Sequence, residues 1–284
     1  MATKAPPHLP LFWSLLLILL AISPSGSLAV YVTNHSISLE EASVRDLQHA
    51  LERNQLTSRQ LVEFYLRQIQ RLNPILKAVI EVNPEALYLV DKADNERKAK
   101  APGSLAGLHG IPVLVKDNIA TKDKLNTMAG SYALLGLVVP RDAGIVRKLR
   151  KAGAIIIGMA SLSEWANFRS DYAPSGWSGR SGQGKNPYIL LANPCGSAIS
   201  VAANLVVVTV SDAVYVLDEI VVLDYRDKVT IKASLYITRG GYKQFLKANG
   251  LRGKGKKRLK GKRLGIVRKP FFDFGDDVVL RTTF

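Results

Sequence analysis

The order of patterns in this sequence predicts an α/β fold, a mixed β-sheet covered by helices on both faces. Two observations carry the prediction. The first is a strand, helix, strand series. Ile111–Val115 reads as a strand, Ile145, Val146 and Leu149 recur at helical spacing, and Ala154–Ile157 is a second buried strand. That order implies a parallel pair with its helix laid across one face. The second is a set of amphipathic segments with capping signals on either side of this unit. The 284 residues suffice for one large domain or two small ones, and 47% hydrophobic content is ordinary for a globular protein.

The elements follow in order. Ser38-x-x-Glu41 reads as a capping box for a helix with Ala42, Leu47, Ala50 and Leu51 on its apolar face. Thr57-x-x-Gln60 opens a second helix with Leu61, Tyr65, Leu66, Ile69 and Leu72 in line, and Asn73-Pro74 is expected to end it. Ala78–Val82 reads as a strand. Pro84 suits the first turn of a third helix carrying Leu87, Val90 and Ala93. Asp142 is expected to cap the helix of Ile145, Val146 and Leu149, and Gly153 to end it.

Ser161-x-x-Glu164 reads as a further capping box, opening a helix with Leu162, Trp165 and Phe168. Residues 169–197 are dense in Gly, Ser, Pro and Asn, a length that is either functional or disordered. Ala198–Leu205 reads as a helix, Val206–Val210 as a strand, and Ser211-Asp212 as the cap of a helix with Val214, Leu217, Ile220 and Val221. No Gly, Pro, Asn or Asp separates Val206 from Ser211, so strand chemistry runs straight into a helix start. A segment reads as absent at this junction.

The first residues are of another kind. Lys4 precedes an apolar run from Leu11 to Ile22, followed by Ser-Pro-Ser-Gly and the small-x-small site Ser27-Leu28-Ala29. Residues 1–29 are expected to be a secretory signal peptide cut after Ala29. An uncleaved anchor is the alternative, but the run is short against the roughly 20 residues of a membrane span. No stable membrane span is expected after cleavage. The location expected is the secretory pathway, extracellular or in a cell wall or vacuole. Asn34-His35-Ser36 is then an N-glycosylation sequon.

Within these residues Cys195 is the only cysteine, which leaves no intrachain disulfide and no cysteine-based zinc site. The four histidines form no HExxH pair, and neither a metal nor a cofactor is expected. The formal net charge is +16. Much of the excess lies in Leu251–Arg263, which reads either as an anionic-surface patch or as a solvated loop. The run alternates with glycine and has no aromatic residue for base stacking, so no nucleic-acid partner is expected.

Lys116 ends the apolar run Ile111–Val115, just before a polar turn. A protonated lysine is useless as a base. Desolvation disfavours the ammonium form, so buried neighbours such as Val113 and Val115 would lower its pKa. The same pattern also fits a surface lysine at the end of an edge strand.

The wider run Gly107-Leu-His-Gly-Ile-Pro-Val-Leu-Val-Lys-Asp-Asn118 resembles the lysine motif of the amidase signature family, serine hydrolases that cleave carboxamide C–N bonds. The resemblance continues through Met128-Ala-Gly-Ser131, Asp142–Gly158, Ser161–Arg169 and the Gly/Ser-rich stretch to Cys195-Gly-Ser197. It covers most of 38–205 and looks nearest to the plant-type, secreted branch. It implies an incomplete amidase-signature fold. Residues 30–284 would form a partial amidase domain, with 209–284 resembling a later family segment that carries the basic insertion and stops short of the family's C-terminal part.

Family members resemble one another in a nucleophilic serine, a bridging serine and a lysine. The resemblance implies that Lys116 is the base that receives the proton. The bridging serine belongs in a Gly-Ser-Ser-x-Gly-Ser type loop, and this chain has Cys195-Gly-Ser-Ala-Ile-Ser200. Ser197 corresponds to either the first or the last serine of that loop and is the candidate for the bridging role. The nucleophile's Gly-Thr-x-x-Gly-Ser type stretch has no counterpart here, because Val208 passes directly to Thr209-Val-Ser-Asp212. Ser211 stands in helix-capping context. The readings left open are an amidase acting on a small-molecule amide, a non-catalytic relative or binding module, and a mis-spliced fragment of an active amidase.

Overall fold

The structure, a computed structural model, describes residues 38–247 except 41, 102–103, 106, 169, 171, 193, 195–208 and 222. The leader 1–29, the sequon at Asn34, the helix expected at 198–205, the junction residues Val206–Val208 and the basic run 251–263 lie outside the described residues. The chain divides into two units, one up to Tyr242 and one from Lys243.

In the first unit, helices α1 (Val44–Glu52) and α2 (Ser58–Leu76) lead to strand β1 (Val79–Val82) and helix α3 (Ala86–Ala99). Strand β2 (Pro112–Lys116), helix α4 (Gly144–Lys151) and strand β3 (Ile155–Ala160) form the expected crossover. A short hairpin, β4 (Trp177–Ser178) and β5 (Gly182–Gln183), precedes helices α5 (Val210–Ile220) and α6 (Lys228–Ala233). The described part of the second unit is the helix α7, Lys243–Lys247.

The main sheet runs β1-β3-β2. β2 is parallel to β3 and β1 antiparallel to it, so the sheet is mixed. Helices cover both faces, as expected. On one face α1, α2 and α3 bury Leu47, Leu61, Phe64 and Val90 against Leu114, Ile155 and Ile157. On the other, Val146 and Leu149 of α4, with Val216 and Ile220 of α5, pack on Val113, Val115, Ile156 and Met159.

A β-bulge reconciles these two lists. Val113 pairs with Ile156 but Leu114 pairs with Gly158, so Ile157 is an extra residue. It lets Ile155 and Ile157 face one layer while Ile156 and Met159 face the other. Gly158 fits here because a Cβ would lie 2.4 Å from the carbonyl oxygen of Glu81. Buried Asn83 ties β1 to β3: its Nδ2 donates to the Ile156 carbonyl at 2.7 Å, and its N–H to that of Ile157 at 2.8 Å.

Several boundaries differ from expectation, each for a local reason. Ser43, not Ser38, caps α1, its hydroxyl accepting from the Asp46 N–H. The Thr57–Gln60 capping box is present, but α2 continues past Pro74 to Leu76. Proline removes one donor near the helix end, and Lys77 closes the helix in the left-handed region with its N–H on the Asn73 carbonyl. Asp142 does not cap α4. It accepts from the Lys122 N–H at 2.6 Å and pairs with Arg150. Helix α3 begins two residues beyond Pro84.

The box at Ser161 does not form. Ser161 donates to the Lys77 carbonyl at 2.5 Å, and Glu164–Asn167 is a short 3₁₀ segment with Trp165 and Ala166 at positive φ. Thr209, not Ser211, caps α5, in a capping box with Asp212, so the strand expected to reach Val210 does not extend into 209–210. Buried Asp212 also accepts from the Val44 N–H at 2.7 Å, joining the start of α5 to the start of α1.

Ile157 is fully buried. Ile157→Ala is expected to lower stability by about 2–5 kcal/mol, read from urea unfolding curves. Asp212→Ala removes one half of the α5 capping box and the acceptor for Val44, for an expected loss of about 1–2 kcal/mol by the same measurement.

Candidate active site

Lys116 stands at the carboxyl end of parallel strand β2, where open α/β sheets place their ligands. Its partner across the ladder is Ala160, the last residue of β3. The two residues before it in β2 are buried and Lys116 itself is half-buried. Burial pulls its ammonium pKa below the ordinary lysine value. The desolvation expected at Lys116 is therefore present, whereas Val113 and Val115 pack into the layer of α4 and α5.

The next residue organises the surroundings. Asp117 is fully buried. Its N–H donates to the Ala160 carbonyl at 3.1 Å, and its own carbonyl accepts from Ala129 at 3.0 Å. Its carboxylate accepts from the Gly130 N–H at 2.7 Å and the Met128 N–H at 3.4 Å. Ala129 and Gly130 both have positive φ, and the N–H groups of Met128, Ala129 and Gly130 all reach Asp117, the outer two its carboxylate and the middle one its carbonyl. Glycine is required at 130 on a second count, since a Cβ would lie 2.7 Å from Cβ of Ser178.

Arg180 completes the network. Its Nη1 lies 3.3 Å from Asp117 and its Nη2 2.8 Å from Glu81. Glu81 also accepts from the Asn126 side chain at 2.8 Å. The Arg180 N–H donates to the Gly130 carbonyl at 3.1 Å. Burial pushes the Asp117 carboxyl pKa up, and the Gly130 N–H and the Arg180 charge pull against that rise. The Gly/Ser-rich stretch is thus an ordered wall over 174–184. The roles of Asp117, Glu81 and Arg180 were not read from sequence. The signal available was a carboxylate directly after the lysine and an Ala-Gly-Ser turn beyond it.

Ser197 lies outside the described residues. Four described serines near this strand end have scaffold partners. Ser131 accepts from the Ala133 N–H at 3.4 Å, Ser163 from the Gly176 N–H at 2.7 Å, Ser161 donates to Lys77, and Ser178 sits 2.7 Å from the Ser181 hydroxyl. Ser211 lies in the first turn of α5. Among the described residues no group of three or more His, Cys, Asp or Glu gathers to hold a metal ion.

Residues 60–212, more than half of the chain, match the family described as Amidase. The chain belongs to the amidase family. It is 48% identical to a probable amidase of Arabidopsis thaliana over 316 aligned positions, which cover 91% of this chain and 60% of that relative. A putative amidase of Schizosaccharomyces pombe is 48% identical over 176 residues, 60% of this chain and 30% of the relative. The native peptide amidase of Stenotrophomonas maltophilia superposes with a TM-score of 0.53 at 47% identity, over 57% of this chain and 33% of that one. An amidase family protein from Bacillus anthracis gives a TM-score of 0.65 at 28% identity, over 72% of this chain and 51% of that one. The chain spans 60% or less of the length of these curated relatives. Its α/β architecture is accordingly a partial match to amidase-family structures.

Arg180→Ala would leave Asp117 and Glu81 without their shared cation. A loss of about 3–5 kcal/mol is expected in urea unfolding, with only partial recovery in Arg180→Lys, whose single ammonium cannot span both carboxylates. A second expectation concerns pH. A lysine whose pKa falls on folding loses stability as pH drops from the unfolded value through the folded one. The melting-temperature advantage of Lys116→Met over the parent should therefore grow as pH falls from about 10.4. A difference independent of pH would contradict the depressed pKa.

Proposed function

We infer that the chain retains the proton-accepting half of a serine amidase site and that its own hydrolytic activity is impaired. The observation that carries this reading is Lys116, partly desolvated at the carboxyl end of β2. The reaction class is hydrolysis of carboxamide C–N bonds. A serine oxygen attacks the amide carbonyl, its proton passes through a bridging serine to the neutral Lys116 amine, and that proton then goes to the leaving nitrogen. Ser197 is the bridging candidate. The substrate is a small-molecule amide.

The impairment rests on the junction at Val208–Thr209, where the serine-glycine segment expected of the nucleophile is missing. The 316 positions aligned with the plant relative exceed the 284 residues of the chain, so that alignment must open gaps in this chain. This favours an internal loss from an active ancestor, either as a non-catalytic relative or as a mis-spliced product. The leader read at 1–29 puts either form on the secretory route.

Incubation of the full 284-residue chain with a fluorophosphonate probe is expected to leave the intact mass unchanged. A labelled serine would overturn the impairment and identify the nucleophile. Sequencing the native transcript across the codons for Gly196–Ser200 and Val208–Ser211 separates the two forms of loss. Reads restoring a Gly-Ser segment mark a mis-spliced product, and reads matching this sequence mark a non-catalytic relative.

A further inference from the structure

We propose that helix α6, with the residues on either side of it, is a surface that rests on an anionic lipid bilayer. Nothing in this depends on Lys116 acting as a base.

The helix is turned the wrong way round for water. A surface helix of a globular domain puts its apolar stripe inward and its polar residues outward. In α6 and the 3₁₀ turn Ser234–Tyr236 that continues it, the half-buried positions are the polar Thr230 and Ser234, four residues apart. The Thr230 hydroxyl lies 2.9 Å from the carbonyl of Asp224 and 2.9 Å from that of Asp227, and the Ser234 hydroxyl donates to the Ile231 carbonyl at 2.6 Å. The apolar side chains take the outer side. Leu235 and Tyr236 are each 84% exposed and Val229 is 73% exposed, with Tyr225, at 84%, just ahead of the helix. Single exposed apolar residues are ordinary, but a run of them on one short element marks an interaction surface.

Charge names the partner. Lys228 and Lys232 are exposed one turn apart among these apolar residues and stand in no ion pair within the described residues. Arg226 is exposed beside Tyr225. The acidic residues of the segment are engaged elsewhere. Asp227 caps α6, accepting from the Val229 N–H at 2.9 Å, and Asp224 is turned toward α4, 3.9 Å from Arg147. The sequence adds charge of the same sign: Leu251–Arg263 carries eight Lys or Arg and no Asp or Glu, and the whole chain has a net charge of +16.

An anionic bilayer meets both needs at once. Its headgroups attract the ammonium groups, and its interfacial zone takes up tyrosine and aliphatic side chains, with the lysine stems lying along them. A soluble polyanion would leave Val229, Leu235 and Tyr236 in water. The contact is peripheral, since no described helix is long and apolar enough to cross a membrane.

The experiment floats the full chain with vesicles of phosphatidylcholine alone and of phosphatidylcholine with about one-third phosphatidylglycerol. The quantity read is the excess partition onto the anionic vesicles. The variants are Leu235→Ser with Tyr236→Ser, Lys228→Gln with Lys232→Gln, and Val229→Trp. All these positions are exposed, and a melting curve like the parent's qualifies each sample. Parent and variants share the apolar run Leu11–Ile22, so its contribution cancels. The parent is expected to float with the anionic vesicles and to lose its excess as salt is raised. Each double variant is expected to lower the excess about tenfold at low salt. The Val229→Trp emission is expected to move to the blue on anionic vesicles only. A parent without excess, or an excess that both double variants keep, overturns the proposal. Loss in one double variant alone also overturns it. Loss with the lysines alone marks a soluble polyanion, which heparin displaces, and loss with the apolar pair alone marks a second copy, seen as a parent dimer in sedimentation. Emission that stays put while the chain floats overturns it too, because another part of the chain then touches the lipid.

Discussion

The buried carboxylate of Asp117 is the constraint on which this end of the molecule depends. An ionised group away from water must be met by hydrogen bonds and opposite charge, or the fold cannot hold it. Two backbone N–H groups of one turn and the guanidinium of Arg180 do this. Arg180 in turn faces a second carboxylate, Glu81 of β1. One electrostatic requirement therefore ties together the end of β2, the 128–131 turn, the 174–184 loop and the antiparallel edge strand. The lysine beside it sits in a frame fixed from three directions. That lysine is half-buried at the carboxyl end of its strand, with its pKa lowered by burial.

The rest of the unit supplies the platform. Three helices on one face and α4 and α5 on the other compress a three-stranded sheet whose central strand β3 is buried throughout. Helices α1 and α2 are held by polar contacts at their starts as well as by their apolar stripes. Asp94 of α3 accepts from the Ser58 and Arg59 N–H groups at the start of α2, and Arg97 covers the same carboxylate. The Asp212 carboxylate likewise accepts from the Val44 N–H at the start of α1, and from the Thr209 N–H at the start of its own helix α5. The free N–H groups at the starts of α1 and α2 are thus satisfied by carboxylates from other helices, which fixes their relative register more tightly than hydrophobic contact alone.

What was legible in the sequence followed from periodicity. The crossover of β2, α4 and β3, the parallel pair and the apolar faces of α2 and α3 all show spacing that only one structure satisfies. The place of Lys116 at the end of β2 was legible because the apolar run before it is local. Capping boxes were less reliable guides. Thr57–Gln60 formed, while the boxes at Ser38 and Ser161 gave way to Ser43 and a left-handed turn, and the simple cap at Ser211 to Thr209. A four-residue pattern cannot register a competing bond such as that of Ser161 to the Lys77 carbonyl, 84 residues away in sequence. The Asp117–Arg180–Glu81 network was illegible for the same reason. Its members lie far apart along the chain and meet only through the strand order β1-β3-β2.

The extra residue in β3 has an effect beyond local packing. It works as a phase shifter. Before Ile157 the odd-numbered positions of the strand point to the three-helix layer, and after it the even-numbered Ala160 does. Everything leaving β3 inherits that inverted parity, including the Ser161–Ser163 exit, where the Ser161 hydroxyl holds the Lys77 carbonyl and the Ser163 hydroxyl the Gly176 N–H. Deleting one residue at 157–158 would therefore leave Met159, Ala160 and that exit on their present faces, while straightening the bulge with every residue kept would turn them to the opposite side of the sheet. In this fold a count of residues, as much as their chemistry, decides which side of the sheet the lysine's neighbours occupy.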